Sequence, residues 1–225
     1  KFRYMFGGKA VTPVTIRTMI GAGFSAAAQH SQSPYSIFAH VPGLKSIIPS
    51  NPYDAKGLLM ASIEDDDPCV FFEHKALYTM KGEVPEEYYT IPLGQANVVQ
   101  EGKDVTIVAL ARMVQVAVQA AKTLAKEGIE CTIIDPRTIS PLDKDTIFSS
   151  VEKTGRLVVV DEDNDRCGFA CDIVGMVAQN LFGALKGAPQ MVTPPFTPVP
   201  FAANLEAEYI PNAAKVVAAV RKTLE

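Results

Sequence analysis

One histidine in the chain is placed to work on a ligand. His30 stands in Gln29-His30-Ser31-Gln32, reached through the small-residue run Gly21-Ala22-Gly23-Phe24-Ser25-Ala26-Ala27-Ala28. Flexible chain of this kind can present an imidazole outward, between neighbours that hydrogen-bond. Histidine is also the side chain whose ordinary pKa best suits proton transfer near neutrality. By itself the signal is modest, because an isolated histidine is more often a satisfied structural residue.

Two acidic strings invite a metal reading. Asp161-Glu162-Asp163-Asn164-Asp165 opens like a calcium loop, with Asp172 at the twelfth position. Its sixth position is Arg166, where the sharp turn needs glycine, and Asp172 is shorter than the usual bidentate glutamate. A solvated acidic loop after a strand is the expectation there. Glu64-Asp65-Asp66-Asp67-Pro68 falls where a helix should end. Carboxylates at a helix C-terminus oppose its dipole and favour a compensating cation, although they can equally project into water. Cys69, Cys131, Cys167 and Cys171 match no zinc spacing. They read as small buried thiols in a reducing cytoplasm without disulfides, with Cys167 and Cys171 four apart on one helix. No glycine-rich dinucleotide or P-loop motif and no G-x-S-x-G elbow occurs.

Alternating elements must position these groups. Val11–Thr18 is strand-like, with Val14-Thr15-Ile16-Arg17 as its core, and Pro34–Val41 makes one or two helical turns. Lys45–Ile48 is a strand, Pro52–Ile63 a helix, and Cys69–Phe72 a continuous apolar run of the kind that forms a buried strand. Strand, helix, strand points to a parallel α/β sheet. The pattern dissolves between Glu73 and Leu93, a polar stretch punctuated by Pro85 and Pro92, and this is the linker candidate. It restarts with the strand Val105–Leu110 and a helix from Met113 to Lys126, striped by Val114, Val118, Ala121 and Leu124 and capped near Gly128. Strands at 130–134, 156–161 and 190–192 alternate with helices at 143–151, 168–182 and 212–224. These describe a second α/β domain.

Composition narrows the function classes. A net charge of −4 with no basic block argues against a nucleic-acid partner. No apolar stretch reaches membrane-spanning length, and 48% hydrophobic residues with 20% charged are ordinary for a globular protein with a real core. Lys1-Phe2-Arg3-Tyr4-Met5-Phe6-Gly7-Gly8 lacks an initiator methionine and leads directly into a strand, so it reads as the middle of a domain.

Several strings occur together in a recognisable order: Ala28–Gln32, Val41-Pro42-Gly43-Leu44-Lys45, Asp54-Ala55-Lys56-Gly57-Leu58, Asp67-Pro68, Ile134–Asp143 and Pro198-Val199-Pro200. With them the chain resembles, over essentially its whole length, the β subunit of the E1 component of 2-oxo acid dehydrogenase complexes. Arg3–Ala10, Arg17–Gly23 and Glu73-His74-Lys75 look most like the acetoin dehydrogenase branch. The resemblance implies an α/β fold made of a partial transketolase-like pyrimidine-binding domain (residues 1–80), a linker (81–93) and a transketolase C-terminal-like domain (94–225). It implies a thiamin-diphosphate enzyme active as an α2β2 heterotetramer with a β–β contact, the α subunit holding the diphosphate and its Mg2+. It also implies a lipoyl-bearing E2 acyltransferase as partner and a cytoplasmic setting.

By motif position His30 matches the family histidine on the loop overlooking the cofactor, with an acid–base role in passing the acyl group to the lipoyl disulfide. A structural K+ would be held, largely by backbone oxygens, at Val14, Ser62, Ile63, Asp65 and Asp67. The glutamate that protonates the aminopyrimidine, and the main thiamin contacts, are expected before Lys1. The 225 residues alone are therefore expected to be inactive. Pyruvate dehydrogenase E1β is the alternative enzyme. The alternative of another class is a non-catalytic module docking on E2, for which Phe196, Val199, Phe201 and Tyr209 would suit an interface as well as they would suit plain packing.

Overall fold

The computed structural model describes residues 1–225 as two sheets that share apolar core. In chain order the strands are β1 (Thr15–Ile20), β2 (Lys45–Ile47), β3 (Cys69–His74), β4 (Asn97–Gln100), β5 (Val105–Ala109), β6 (Cys131–Asp135), β7 (Thr138–Ser140), β8 (Leu157–Val160) and β9 (Gln190–Val192). The helices are α1 (Phe2–Met5), α2 (Ala27–His30), α3 (Tyr35–Ala39), α4 (Pro52–Glu64), α5 (Arg112–Ala125), α6 (Lys144–Thr154), α7 (Phe169–Leu181), α8 (Ala203–Tyr209) and α9 (Ala213–Leu224). One sheet has the order β1-β3-β2-β7, the other β4-β6-β5-β8-β9. Within each the long strands run parallel, and only the edge strands β7 and β4 pair antiparallel.

The apolar runs became the central strands for the expected reason. Every residue of β5, β6 and β8 is buried, because helices cover both faces of that sheet. On one face lie α5 and α9, with Met113, Val114, Ala117, Ala121 and Leu124 of α5 in the core. On the other, α6 and α7 pack in a core that also takes Ile20, Val70 and Phe72 from the first sheet, Tyr35 from α3 and Ile48 just after β2. The chain leaves regular structure between the two sheets, yet β7 crosses back to pair with β2, and the core continues across. Local chemistry sets the helix ends: the side chains of Asn51, Asp143 and Asn212 cap α4, α6 and α9 by accepting from backbone N–H groups three residues on.

Three sequence expectations need correction. The first sheet does not stop at Phe72: β3 continues through Glu73 and His74, in register with Met19 and Ile20. Polar residues fit there because Glu73 meets Arg17 across the strands, while His74 turns into the interior. Helix α5 ends at Ala125, and Gly128 (φ +79°) serves the turn after it rather than the cap. Cys167 precedes α7 instead of sharing it with Cys171, and both thiols are exposed. Only Cys69 and Cys131 are buried, and all four are free. The short β4, β7 and α8 carry too few residues for a periodic signal, and sequence reading missed them.

Candidate active-site loop

His30 is the last residue of the four-residue α2 and its side chain is exposed. Its carbonyl accepts a hydrogen bond from Lys75 Nζ, just beyond the end of β3. The chain from Gly21 to Gln32 forms a lobe closed at its neck, where Gly21 N–H donates to the Gln32 carbonyl at 3.2 Å. Gly21 and Gly23 take φ of +98° and +111°, which glycine adopts freely, and backbone strain falls on the non-glycine residues Ser25 and Ala27, at +50° and +58°.

Two buried carboxylates from the second sheet's side hold the rising limb. Glu162 Oε1 accepts from Ala22 N–H at 2.6 Å. Glu206 Oε1 accepts from Gly23 N–H at 2.8 Å and Phe24 N–H at 3.3 Å, and its Oε2 accepts from Ser25 N–H at 2.8 Å. Arg112 Nη1 donates to the Ala22 carbonyl at 3.3 Å. The other oxygen of Glu162 lies 2.9 Å from His74 Nε2. Because His74 Nδ1 accepts from Ala76 N–H at 3.1 Å, the proton of the neutral ring belongs on Nε2, where it donates to Glu162. Burial alone would raise the Glu162 pKa, but the His74 hydrogen bond, the Ala22 N–H and the Arg112 guanidinium together hold it below the ordinary value.

The acidic string after β8 is therefore not the solvated loop expected from its composition. Asp161 and Glu162 are buried, and only Asp165 lies open to water. Asp161 accepts from the Tyr35 hydroxyl and from the backbone of Asp163 and Ala170. Burial pushes its carboxyl up to about 7 despite those donors. Asp135, at the end of β6, is likewise pushed up to about 7 by burial, and it accepts from Ser50 Oγ at 2.5 Å and Arg137 N–H at 2.9 Å. Arg137 forks onto Asp54 at 3.0 and 2.7 Å. Each of these side-chain contacts between distant residues joins the chain before residue 75 to the chain after residue 110. Sequence reading missed Glu162, Glu206, His74, Tyr35 and Asp135. The nearest available signal was a histidine continuing an apolar strand run.

Of the five residues expected around a cation, Ser62 and Ile63 lie in the last turn of α4, Asp65 and Asp67 follow it, and Val14 immediately precedes β1. The Ser62 carbonyl accepts from Thr15 Oγ1 at 2.8 Å, and the Val14 carbonyl from Cys69 N–H at 2.9 Å. Asp65 Oδ1 accepts from Asp67 N–H, and Ile63 lies between these groups in sequence. The compensating charge argued from the helix dipole is supplied here by side chains: Lys45 Nζ sits 2.5 Å from Asp65, and Arg3 Nε 2.5 Å from Asp67. Of the candidate interface residues, Val199 and Tyr209 pack in the core, whereas Phe196 and Phe201 remain exposed. No helix is long and apolar enough to cross a membrane.

The transketolase pyrimidine-binding domain model matches residues 1–81, and the transketolase C-terminal domain model matches residues 94–216. The chain is 62% identical over 225 residues to the acetoin:2,6-dichlorophenolindophenol oxidoreductase subunit beta of Cupriavidus necator, covering 100% of this chain and 67% of that protein. Identity is 56% over 224 residues to the subunit of the same name in Bacillus subtilis, covering 100% and 66%. It is 44% over 226 residues to the B. subtilis pyruvate dehydrogenase E1 component subunit beta, covering 100% and 69%. The chain thus spans about two thirds of the length of these relatives. Among solved structures, a split-gene transketolase described as an inactive beta4 tetramer superposes with a TM-score of 0.78 at 25% identity, over 95% of this chain and 67% of that one.

Proposed function

The chain belongs to the transketolase-like family of E1 β subunits, and on that premise we propose that it serves a thiamin-diphosphate-dependent acetoin dehydrogenase. Acetoin is cleaved between its two oxygenated carbons, acetaldehyde leaves, and the acetyl unit passes to a lipoyl disulfide on E2. One sulfur receives the acetyl group and the other leaves as a thiol. Bound thiamin diphosphate supplies the carbanion chemistry. The substrate choice leans on the acetoin names of the two relatives at 62% and 56% identity, against 44% for the pyruvate-named one.

The observation that carries the reading is His30, an exposed imidazole near the neck of a strained lobe whose other limb is held by buried carboxylates. As imidazolium it donates a proton to the departing lipoyl sulfur and returns as the neutral ring. An exposed ring suits a site completed by a second subunit, since this chain does not enclose it. We assign the diphosphate and its Mg2+ to an α subunit, as the resemblance to E1 β subunits implies. Residues 1–80 are read as the pyrimidine-binding domain, 81–93 as the linker and 94–225 as the C-terminal domain, in an α2β2 heterotetramer in the cytoplasm. Val14, Ser62, Ile63, Asp65 and Asp67 are proposed to take K+ through backbone oxygens, where the Val14 and Ser62 carbonyls each keep a free lone pair beside their single hydrogen bond. Exchanging K+ for the larger tetramethylammonium should then lower the melting temperature. An unchanged melt would remove the site.

The test of the main reading is His30→Ala in full-length β reconstituted with α. Acyl transfer to a lipoyl domain should fall at least a hundredfold, within the range that positioned acid–base groups contribute, while dichlorophenolindophenol reduction persists. Transfer within a few-fold of wild type would refute the role. Parallel assays with acetoin and pyruvate decide the substrate.

A further inference from the structure

The lobe bearing His30 is not held by its own sheet alone. Three consecutive backbone N–H groups, of Gly23, Phe24 and Ser25, converge on the two oxygens of Glu206, a carboxylate 181 residues beyond Ser25 along the chain. Glu206 is only 4% exposed. The lobe continues from Ser25 into the short α2 that ends on His30. There His30 is tied by its carbonyl to Lys75, and the neck of the lobe is closed by Gly21 and Gln32.

We propose that Glu206 is a positioning residue for His30: its carboxylate fixes the path of residues 23–25 and thereby sets where the imidazole points. A charged acceptor suits this task because it satisfies several converging N–H donors at once, and such bonds are roughly twice as strong as neutral ones. They also offset the strain of Ser25, at φ +50°, which an unsupported chain would relax. A side chain of another length or charge cannot serve. The substitution Glu206→Gln would turn an amide NH2, a donor, toward one or two of these N–H groups, and Glu206→Asp would fall one methylene short. Arg112 reinforces the placement, since a Cβ on Gly23 would come within 2.7 Å of its Nη1 and the backbone is thereby kept against the second domain.

The inference rests on His30 acting as the proton donor, and the experiment separates the two claims. It uses full-length β with its α subunit as wild type, Glu206→Gln, Glu206→Asp and His30→Ala, and Glu206→Gln combined with His30→Ala. In the wild type the Gly23, Phe24 and Ser25 amides should be protected from hydrogen exchange, although they lie in no helix or strand. In Glu206→Gln they should exchange about tenfold faster or more, with β5 and β6 unchanged. Acyl transfer to lipoyl domain should fall about tenfold in Glu206→Gln with dye reduction within about twofold, and the same substitution should cost nothing further in the His30→Ala background. Fast wild-type exchange at these three amides overturns the anchoring, and needs no variant to fold. An equal loss with and without His30, or parallel losses of transfer and dye reduction in both Glu206 variants, overturns the positioning role. If His30→Ala alone retains transfer, the proposed function of His30 fails, while the exchange result still decides the anchor.

Discussion

Replacing Asp135 by asparagine should remove a pH dependence of stability that the wild-type chain carries. The Asp135 carboxyl is fully buried, and its two oxygens lie 2.5 Å from Ser50 Oγ and 2.9 Å from the Arg137 N–H nitrogen. Burial lifts it from its ordinary 3.8 to about 7, so the folded chain holds a proton that the unfolded chain has released. The stability this group contributes is fully present below pH 3.8 and is lost as pH rises through about 7. Between pH 5 and pH 8 the folded state keeps the proton over roughly two pH units. At about 1.4 kcal/mol per unit this gives a loss of about 2.5 kcal/mol. Asparagine mimics the protonated acid, with its oxygen accepting from Arg137 N–H and its amide donating to Ser50. Urea unfolding of wild type and Asp135→Asn at both pH values gives a difference of differences in which Asp161 and the other titrating groups cancel, being unchanged between the two chains. The variant should exceed wild type by about 1.5 kcal/mol at pH 5 and by about 4 kcal/mol at pH 8, so that the gap widens by about 2.5 kcal/mol. Equal pH sensitivity in the two chains would refute the account.

Neighbouring geometry fixes three more outcomes. Gly21→Ala should destabilise by about 2–5 kcal/mol in urea unfolding, because φ is +98° and the new Cβ would collide with the His74 ring, which Glu162 and Ala76 hold in place. Asp54→Ala should cost about 3–5 kcal/mol by leaving the Arg137 guanidinium unpaired and largely buried. Removing both partners should recover part of that loss, which a double-mutant cycle reads directly. A thiol reagent should label Cys167 and Cys171 in the folded chain and reach Cys69 and Cys131 only on unfolding, since those two are buried and burial pushes their thiols up to about 11. Mass spectrometry of the labelled peptides checks the pattern.

The sequence by itself determined the strands and helices whose pattern is long or uniform. Cys69–Phe72, Val105–Leu110 and the stripe from Val114 to Leu124 each declare their burial through local spacing. It also singled out His30, because small residues and polar neighbours are adjacent to it in the chain. Asp161 and Glu162 were misread for the converse reason. Five consecutive polar residues look solvated to any local rule, and their burial depends on Tyr35, His74 and Ala22, up to 140 residues away. Glu206 carried no signal at all, since a glutamate in a short helix is ordinary on a surface. Only the packing of the two sheets brought it under the backbone of residues 23–25, where a carboxylate is stable because three N–H groups replace the water it lost.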